Sequence, residues 1–176
     1  MDNIKTERLE LRLLKHEFAA ELLPIWNDEE VIRYTYINDV KDIDSCEKRI
    51  ERMLENNVSR KAIGPYAIFK EDNLIGIVAA YRDASFEYGL FYHLGKEYWG
   101  HGYATEAAKA VVDIAFTYPE VMRVSADAVT INSASSRVLE KIGMKLEGCL
   151  RMKFLRNGIH RDLYAYSIIR EEYGAV

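Results

Sequence analysis

The sequence predicts a single α/β (more strictly α+β) domain built around a mixed β-sheet. Some segments alternate apolar and polar residues with the two-residue period of strands, and others repeat apolar residues at helical intervals. The two kinds of segment are interleaved along the chain, with no linker, repeat or low-complexity stretch between them. With 49% hydrophobic and 30% charged residues, the 176-residue chain can bury a sizeable core, and we take residues 1–176 as one domain.

The first predicted elements are one strand and two helices. In residues 9–13 leucines alternate with charged residues, which indicates a half-buried antiparallel strand. A helical stretch follows around residues 18–26. A second helix is predicted where Asp44 and Glu47 have capping-box spacing and apolar residues then recur at helical intervals, namely Cys46, Ile50, Met53 and Leu54.

The middle of the chain predicts a three-stranded meander. Residues 66–70, 74–81 and 86–94 are rich in β-branched and aromatic residues, and polar or small residues separate them. A strand from 86 to 94 therefore leads directly into the glycine-containing segment GKEYWGHGYATEA of residues 95–107.

A helix, a strand and a short helix follow that segment. From Ala104 the apolar residues change to helical spacing, and Pro119 marks the end of this helix. Residues 122–129 form a strand with one apolar face made of Met122, Val124, Ala126 and Ala128. The short helix covers residues 133–142, and Gly143 is its expected left-handed cap.

The chain ends in a predicted β-hairpin. Asn157-Gly158 is a strong signal for a two-residue hairpin turn, and it separates the strand-like segments 149–155 and 159–169.

Composition excludes several classes of protein. No stretch approaches the ~20 apolar residues of a membrane helix, and the first residues lack the order of a signal peptide, so we expect a cytoplasmic protein without a membrane partner. The net charge of -4, spread along the chain, provides no basic stripe for nucleic acid. Cys46 and Cys149 are far apart and lack metal-ligand spacing, so we expect packing roles for both, with no disulfide framework and no metal.

The segment 95–107 predicts an anion-binding loop. Gly100 and Gly102 permit positive φ angles, so backbone N–H groups can converge beside the unsatisfied amides at the start of the next helix. Such a place attracts phosphate, although the same glycines also suit a plain tight turn. The spacing fits neither a P-loop nor a dinucleotide-binding fingerprint, which leaves a diphosphate held by backbone amides.

Two motifs then resemble one family. YHLGKEYWGHGYATEAAKAVVDIAF (92–116) is similar to the acetyl-CoA motif of the GNAT superfamily of N-acetyltransferases. INSASSRVLEKIGMKLEG (131–148) is similar to a signature of its RimJ/RimL-type branch, whose members acetylate protein N-termini, including those of ribosomal proteins. The similarity extends from TERLELRLL near the start to GIHRDLYAYSIIREEY at the end. One departure is Glu97, where the family has Gln or Arg.

The resemblance implies a strongly twisted mixed sheet that splays in the middle, with helices on both faces and acetyl-CoA in the gap. It assigns the pyrophosphate to the amides of the loop, that is, Gly100, His101, Gly102, Tyr103, Ala104 and Thr105. The pantetheine arm would run beside Tyr92, His93 and Leu94. Asn132 would hold the pantetheine from the other side and Ser135 would lie near the thioester sulfur, although both residues also suit helix capping.

Acetyl transfer to an amine needs a base, an oxyanion donor and an acid for the leaving thiolate. Glu87 is the first candidate base; His93 and Asp162 are the second and third. Ser135 or Tyr164 could protonate the thiolate, and a backbone N–H freed around residues 92–94 could bind the oxyanion.

The acceptor side is less defined by the sequence. In the family, the segment between the first strand and the meander borders the acceptor, so the resemblance assigns Tyr34 and Tyr36 as substrate contacts. The leading hypothesis is an acetyl-CoA-dependent N-acetyltransferase acting by direct attack in a ternary complex on a protein α-amino group. The alternatives are a small amine acceptor, such as a polyamine, an amino-acid-like metabolite or an amine antibiotic, and a non-catalytic acyl-CoA-binding module. The resemblance also allows a homodimer.

Overall fold

A computed structural model describes residues 3–60 and 62–174. Within them the chain forms eight strands, five α-helices and two 3₁₀ turns. In order they are β1 (Ile4–Lys5), β2 (Glu10–Leu13), a 3₁₀ turn (His16–Phe18), α1 (Ala19–Trp26), α2 (Glu29–Ile32), α3 (Ile43–Arg60), β3 (Ile63–Lys70), β4 (Asn73–Ala84), β5 (Glu87–Leu94), a 3₁₀ turn (Lys96–Tyr98), α4 (Tyr103–Ala115), β6 (Arg123–Val129), α5 (Ser133–Lys141), β7 (Lys145–Arg156) and β8 (Ile159–Ile169).

The strands form one mixed sheet with the order β1-β2-β3-β4-β5-β6-β8-β7. Neighbouring strands are antiparallel except β5 and β6, which are parallel. These two pair only between Glu87–Gly89 and Arg123–Ser125. Beyond that point β5 continues to Leu94 paired only with β4, and β6 continues to Val129 paired only with β8. The sheet is therefore open at its centre, as predicted.

Helices cover both faces of the sheet. Helices α4 and α5 pack on one face, where Val111, Ala107 and Leu139 are completely buried. Helices α1 and α3 pack on the other face, where Trp26 and Ile50 are completely buried. Because side chains alternate along a strand, successive residues of β5 contribute to opposite layers.

The predicted elements are all present in the predicted order, but the short strand β1 and the short helix α2 were not predicted. The three-stranded meander is confirmed as β3, β4 and β5, and the hairpin as β7 and β8. Asn157 and Gly158 have φ angles of 50° and 75°, as a two-residue hairpin turn requires. Gly143 has a φ of 89° and follows α5 as the expected left-handed cap.

The predicted capping box of the long helix is displaced by two residues. Asp42 Oδ1 accepts a hydrogen bond of 2.9 Å from the Ser45 amide, and Ser45 Oγ accepts one of 3.0 Å from the Asp42 amide. Asp42 and Ser45 thus cap α3 reciprocally, and Asp44 pairs instead with Lys48 one turn along the helix. The helix begins earlier than the Asp44 and Glu47 spacing indicated.

The expectation that both cysteines are packing residues is wrong for Cys149, which is exposed on β7. Cys46 is buried on α3, and burial raises the pKa of its thiol to about 11. Met122 precedes β6 and is 45% exposed, so it lies outside the apolar face predicted for it. Within the described ranges, no helix has the length and apolarity needed to cross a bilayer, and no group of three metal-ligating side chains is assembled.

Candidate functional site

In the glycine loop, residues 100–105, six consecutive backbone amides have no acceptor among the described residues. Gly100 and Gly102 have φ angles of 79° and 81°, and Gly102 is the N-cap of α4. No side chain caps this helix, and the N–H groups of residues 100–105 find no acceptor in the part of the chain that the structure describes. Exposed amides at a helix N-terminus suit an anion, so the residues predicted for the pyrophosphate lie together in a fitting geometry.

The side chain of Glu97 points away from the amides of residues 100–105. Its Oε2 atom lies 3.2 Å from the position that a Cβ atom would take at Gly95, so the carboxylate folds back against the end of β5. No atom lies within 4 Å of the equivalent position at Gly100, and only Arg8 lies that close at Gly102. The departure from the family pattern at position 97 therefore adds no contact between a carboxylate and these glycines.

Tyr92 and Ser135 meet across the gap between β5 and β6. The hydroxyl oxygens of the two residues are 3.0 Å apart, and the Tyr92 hydroxyl donates to the Ser135 carbonyl at 3.2 Å. Burial raises the pKa of Tyr92 to about 12, so its phenol stays neutral. Asn132 caps α5, since its Oδ1 accepts from the Ser135 amide at 3.3 Å. This cap is compatible with the predicted contact between Asn132 and the pantetheine, because it engages only the Oδ1 atom of the side-chain amide.

His93 points to the face opposite Tyr92. Its Nε2 atom accepts a hydrogen bond from the indole N–H of Trp26, and Arg49 lies over the Trp26 ring. Burial, assisted by the nearby Arg49 charge, lowers the pKa of His93 to about 3. The imidazole is therefore neutral, and its basic lone pair is already engaged. This arrangement does not favour His93 as a base.

Glu87 lies at the closed end of the gap, where β5 and β6 still pair. Its Oε1 atom is 2.9 Å from Nε of Arg123. The same guanidinium binds both carboxylate oxygens of Glu147, at 2.5 and 2.6 Å. Because the Glu87 carboxylate is already engaged by the Arg123 guanidinium, the geometry does not favour Glu87 as a base.

Asp162 is held by the neighbouring strand. Its Oδ1 atom accepts the Met152 amide at 2.8 Å, at the irregular pairing between β7 and β8. Tyr164 lies on the α4 and α5 side of the sheet, partly buried against that core. The hydroxyl of Ser135, by contrast, contacts the Tyr92 phenol directly.

Asp127 is a carboxylate near the gap that was not among the residues predicted from the sequence. It lies on the part of β6 that no longer pairs with β5, and its carboxylate forms no hydrogen bond or ion pair with any other described residue. Its side chain is accessible, yet surrounding protein atoms displace enough water to raise the pKa of the carboxyl; the Asp83 charge adds to this, and Lys153 opposes it. The alternating pattern of MRVSADAV places Asp127 on the polar face of the strand but does not distinguish it from an ordinary exposed residue.

Tyr34 and Tyr36 lie beside this carboxylate. Tyr36 is 63% exposed, and its ring lies 5.0 Å from that of Phe154. Partial burial and the negative charge of Asp127 raise the pKa of Tyr36. Tyr34 packs with Val129 and Phe154, and Arg156 fixes the segment by donating to the carbonyls of residues 35 and 37. The predicted acceptor contacts are thus positioned at the open end of β6.

At the gap, the two faces of the sheet carry different kinds of groups. The α4 face offers unoccupied amides for a diphosphate and the Tyr92–Ser135 pair, and the opposite face offers an accessible carboxylate among aromatic side chains. Such a fold and site are typical of an acyltransferase whose donor carries a diphosphate.

Comparison with known proteins identifies the family. Residues 8–145 match the acetyltransferase (GNAT) domain family, so the chain belongs to it. The uncharacterized N-acetyltransferase p20 of Bacillus licheniformis is 30% identical over 98% of this chain and 99% of its own length. The family and these relatives identify an acetyl-CoA-dependent N-acetyltransferase.

Relatives with named acceptors are more distant. The spermidine N(1)-acetyltransferase of Escherichia coli is 27% identical over 95% of this chain and 84% of its own. The solved structure of RimL, a ribosomal L7/L12 alpha-N-protein acetyltransferase in complex with coenzyme A, has a TM-score of 0.86 and 18% identity, covering 95% of this chain and 97% of that one. At this identity the structural likeness shows the shared fold alone.

Proposed function

We propose that the chain acetylates the α-amino group of a protein by direct attack on acetyl-CoA in a ternary complex. The observation that carries this proposal is the unpaired, accessible Asp127 carboxylate on the open part of β6. Its carboxylate is available to take a proton, whereas His93 and Glu87 are already engaged by Trp26 and Arg123. Asp127 is therefore our candidate for the base in place of the residues predicted from sequence.

The strength of this base favours an α-amine. An α-amino group with a pKa of ~8 is roughly 10% neutral at pH 7, whereas a lysine amine with a pKa of ~10.4 is below ~0.1% neutral. A carboxylate is a weak base even when its pKa is raised, and it serves best where little deprotonation is needed. Tyr34 and Tyr36 would contact the first residues of the substrate.

The proposed reaction uses residues on both sides of the gap. The amides of residues 100–105 hold the diphosphate, and the unpaired edge of β5 near Tyr92–Leu94 lies along the pantetheine and supplies an N–H to the oxyanion. The neutral amine attacks the thioester carbonyl, the C–S bond breaks, and Asp127 receives the amine proton. Ser135, held by Tyr92, passes a proton to the departing thiolate and regains one from solvent.

Coenzyme A thiol release tests the acceptor. The substrates are a lysine-free peptide with a free N-terminus and the same peptide with its N-terminus blocked. Thiol release only with the free N-terminus is the expected result. If neither peptide reacts, the protein-acceptor proposal is wrong.

The Asp127→Asn variant tests the base. It should lower kcat/KM by about 100-fold or more, as expected for loss of a general base, while leaving acetyl-CoA binding unchanged. Glu87→Gln is the matched control, since it removes a nearby carboxylate that is paired with Arg123, and we expect less than about a fivefold effect. A larger loss in the control than in Asp127→Asn would return the role to Glu87.

A small cationic amine is the second candidate acceptor. Asp83 and Asp127 are close enough for the charge of one to raise the pKa of the other, and two carboxylates on the acceptor face would attract a polyamine. The spermidine acetyltransferase among the relatives supports the same alternative. Saturation with spermidine at concentrations far below those needed for the peptide would favour it.

Other finer expectations stay proposals. Membership of the RimJ/RimL branch, a cytoplasmic location and a homodimer are consistent with the fold and are not needed for the chemistry above. If a dimer forms, the exposed apolar side chains of the edge strand β7, among them Leu146, Leu150 and Met152, favour that edge as the contact. Sedimentation of the purified chain tests the dimer, and turnover on any amine excludes a non-catalytic module.

A further inference from the structure

Arg8 connects the N-terminal segment to the glycine loop. Its Nε atom donates to Oε2 of Glu106 at 2.7 Å, and its backbone amide donates to Oε1 of the same carboxylate at 2.7 Å. Thr6 donates to Glu106 Oε1 at 2.6 Å. Three donors from two residues thus converge on a carboxylate in the first turn of α4. The guanidinium is held in one orientation although Arg8 is 44% exposed.

The same guanidinium contacts the loop directly. One of its terminal nitrogens, Nη1, donates to the carbonyl of His101 at 3.0 Å. Nη2 lies 3.4 Å from the position that a Cβ atom would take at Gly102. The guanidinium also lies over the Tyr103 ring, 4.9 Å from its centroid. Arg8 therefore contacts three consecutive residues of the segment whose amides have no acceptors.

This contact determines where one amide points. In a trans peptide unit the C=O and N–H bonds are antiparallel. Because the His101 carbonyl points to Arg8, the Gly102 N–H points away from Arg8, to the other side of the loop. A cation at the carbonyl also polarises the peptide and strengthens its N–H as a donor.

We propose that Arg8 is a positioning residue for the diphosphate of the donor, acting through the His101–Gly102 peptide. Arg8 binds the His101 carbonyl on the side of the loop opposite the anion, so that the Gly102 N–H faces the anion. Its guanidinium also adds a positive charge near the site. The inference rests on acetyl-CoA as the donor.

Comparing two acetyl donors, one with a diphosphate and one without, distinguishes this role of Arg8 from a general effect on folding. The Arg8→Gln variant should raise the KM for acetyl-CoA about tenfold, the value of a hydrogen bond to a charged group, with little change in kcat at saturation. With acetyl-pantetheine, which has the same thioester and no diphosphate, the variant should match the wild type. A merely structural defect would lower activity with both donors.

Two further variants sharpen the test. Lys109→Gln removes a positive charge from the same helix, but Lys109 pairs with Asp113 away from the loop, so the KM for acetyl-CoA should not change. Arg8→Lys retains the charge without the fork of donors, and we expect it to restore only part of the lost affinity. Complete restoration by lysine would mean that charge alone matters and would overturn the positioning role.

The outcomes also distinguish this inference from the proposed function. If the wild type does not bind acetyl-CoA, measured by calorimetry, the assignment of the donor fails, and the positioning role of Arg8 for its diphosphate fails with it. If the wild type binds and Arg8→Gln binds equally well, the donor assignment stands and the role of Arg8 is wrong. Thermal unfolding of each variant without donor shows whether the protein is folded in the assay.

Discussion

Replacing His93 with glutamine should remove a large part of the pH dependence of stability. The folded protein holds His93 neutral, with a pKa of about 3, because the ring is buried and accepts the Trp26 indole N–H. In the unfolded chain the same side chain has a pKa of ~6.5. The unfolded state therefore binds more protons between these two values, and folding becomes less favourable as the pH falls through that range.

The magnitude follows from the difference between the two pKa values. One pKa unit corresponds to ~1.4 kcal/mol, so His93 should destabilise the folded state by about 2 kcal/mol at pH 5 relative to pH 7. The full difference, reached below pH ~3, is about 5 kcal/mol at most. Glutamine at position 93 does not titrate and can still accept from Trp26 through its side-chain oxygen.

Urea unfolding at pH 7 and pH 5 measures this effect. Trp26 is completely buried, so its fluorescence reports unfolding. The other ionisable groups are common to both proteins, and the difference between wild type and His93→Gln isolates His93. Relative to the wild type, the variant should gain about 2 kcal/mol in free energy of unfolding when the pH is lowered from 7 to 5. His16→Gln, at an exposed position, is the control and should show no such change. An unchanged difference between the two pH values would refute the neutral, buried state of His93.

Three other changes test separate parts of the structure. Glu147→Gln should remove stability that the wild type has above pH ~4.5 and loses as the pH falls through about 2, because Arg123 and Ser167 lower the pKa of Glu147 to about 2. Since this pair is largely exposed, the loss at pH 7 should be about 1 kcal/mol, measured by urea unfolding. Cys149 should react rapidly with a thiol reagent while Cys46 reacts only after unfolding, and one fast thiol per chain is the expected count. Phe154→Ala should lower the free energy of unfolding by about 3 kcal/mol, because Phe154 is 1% exposed, and it should raise the acceptor KM by releasing Tyr36.

The order of the elements could be predicted because it depends on local patterns. The Asn157-Gly158 turn and the change from strand to helix after Gly102 each determine the chain direction within a few residues. The cap of α3 was placed two residues late, because Asp42 and Ser45 compete with an equally plausible pair nearby. Exposure of Cys149 could not be predicted, since it follows from β7 being the edge strand of the sheet.

The donor loop was predictable for a similar reason, and the acid–base residues were not. The loop is one continuous segment with glycines that need positive φ angles. The state of a carboxylate depends instead on partners far along the chain. Glu87 is engaged by Arg123, whereas the Asp127 carboxylate has no partner among the described residues at the point where β6 diverges from β5. No pattern within either strand indicates which carboxylate is paired.

Two neighbouring residues of β5 explain how the gap can stay open. Beyond Gly89 the strand loses its pairing with β6, and an unpaired strand edge is free to shift. Tyr92 anchors it to α5 through Ser135 on one face, and His93 anchors it to α1 through Trp26 on the other. Because the anchors lie on opposite sides of the sheet, the strand cannot rotate toward either layer. The hydrogen bond that makes His93 a poor base thus has a different use, which is to hold the edge of β5 in place for the donor. A His93→Phe variant, which fills the space but cannot accept from Trp26, should therefore weaken acetyl-CoA binding even though His93 takes no proton, and calorimetry with that variant measures the contribution of this anchor.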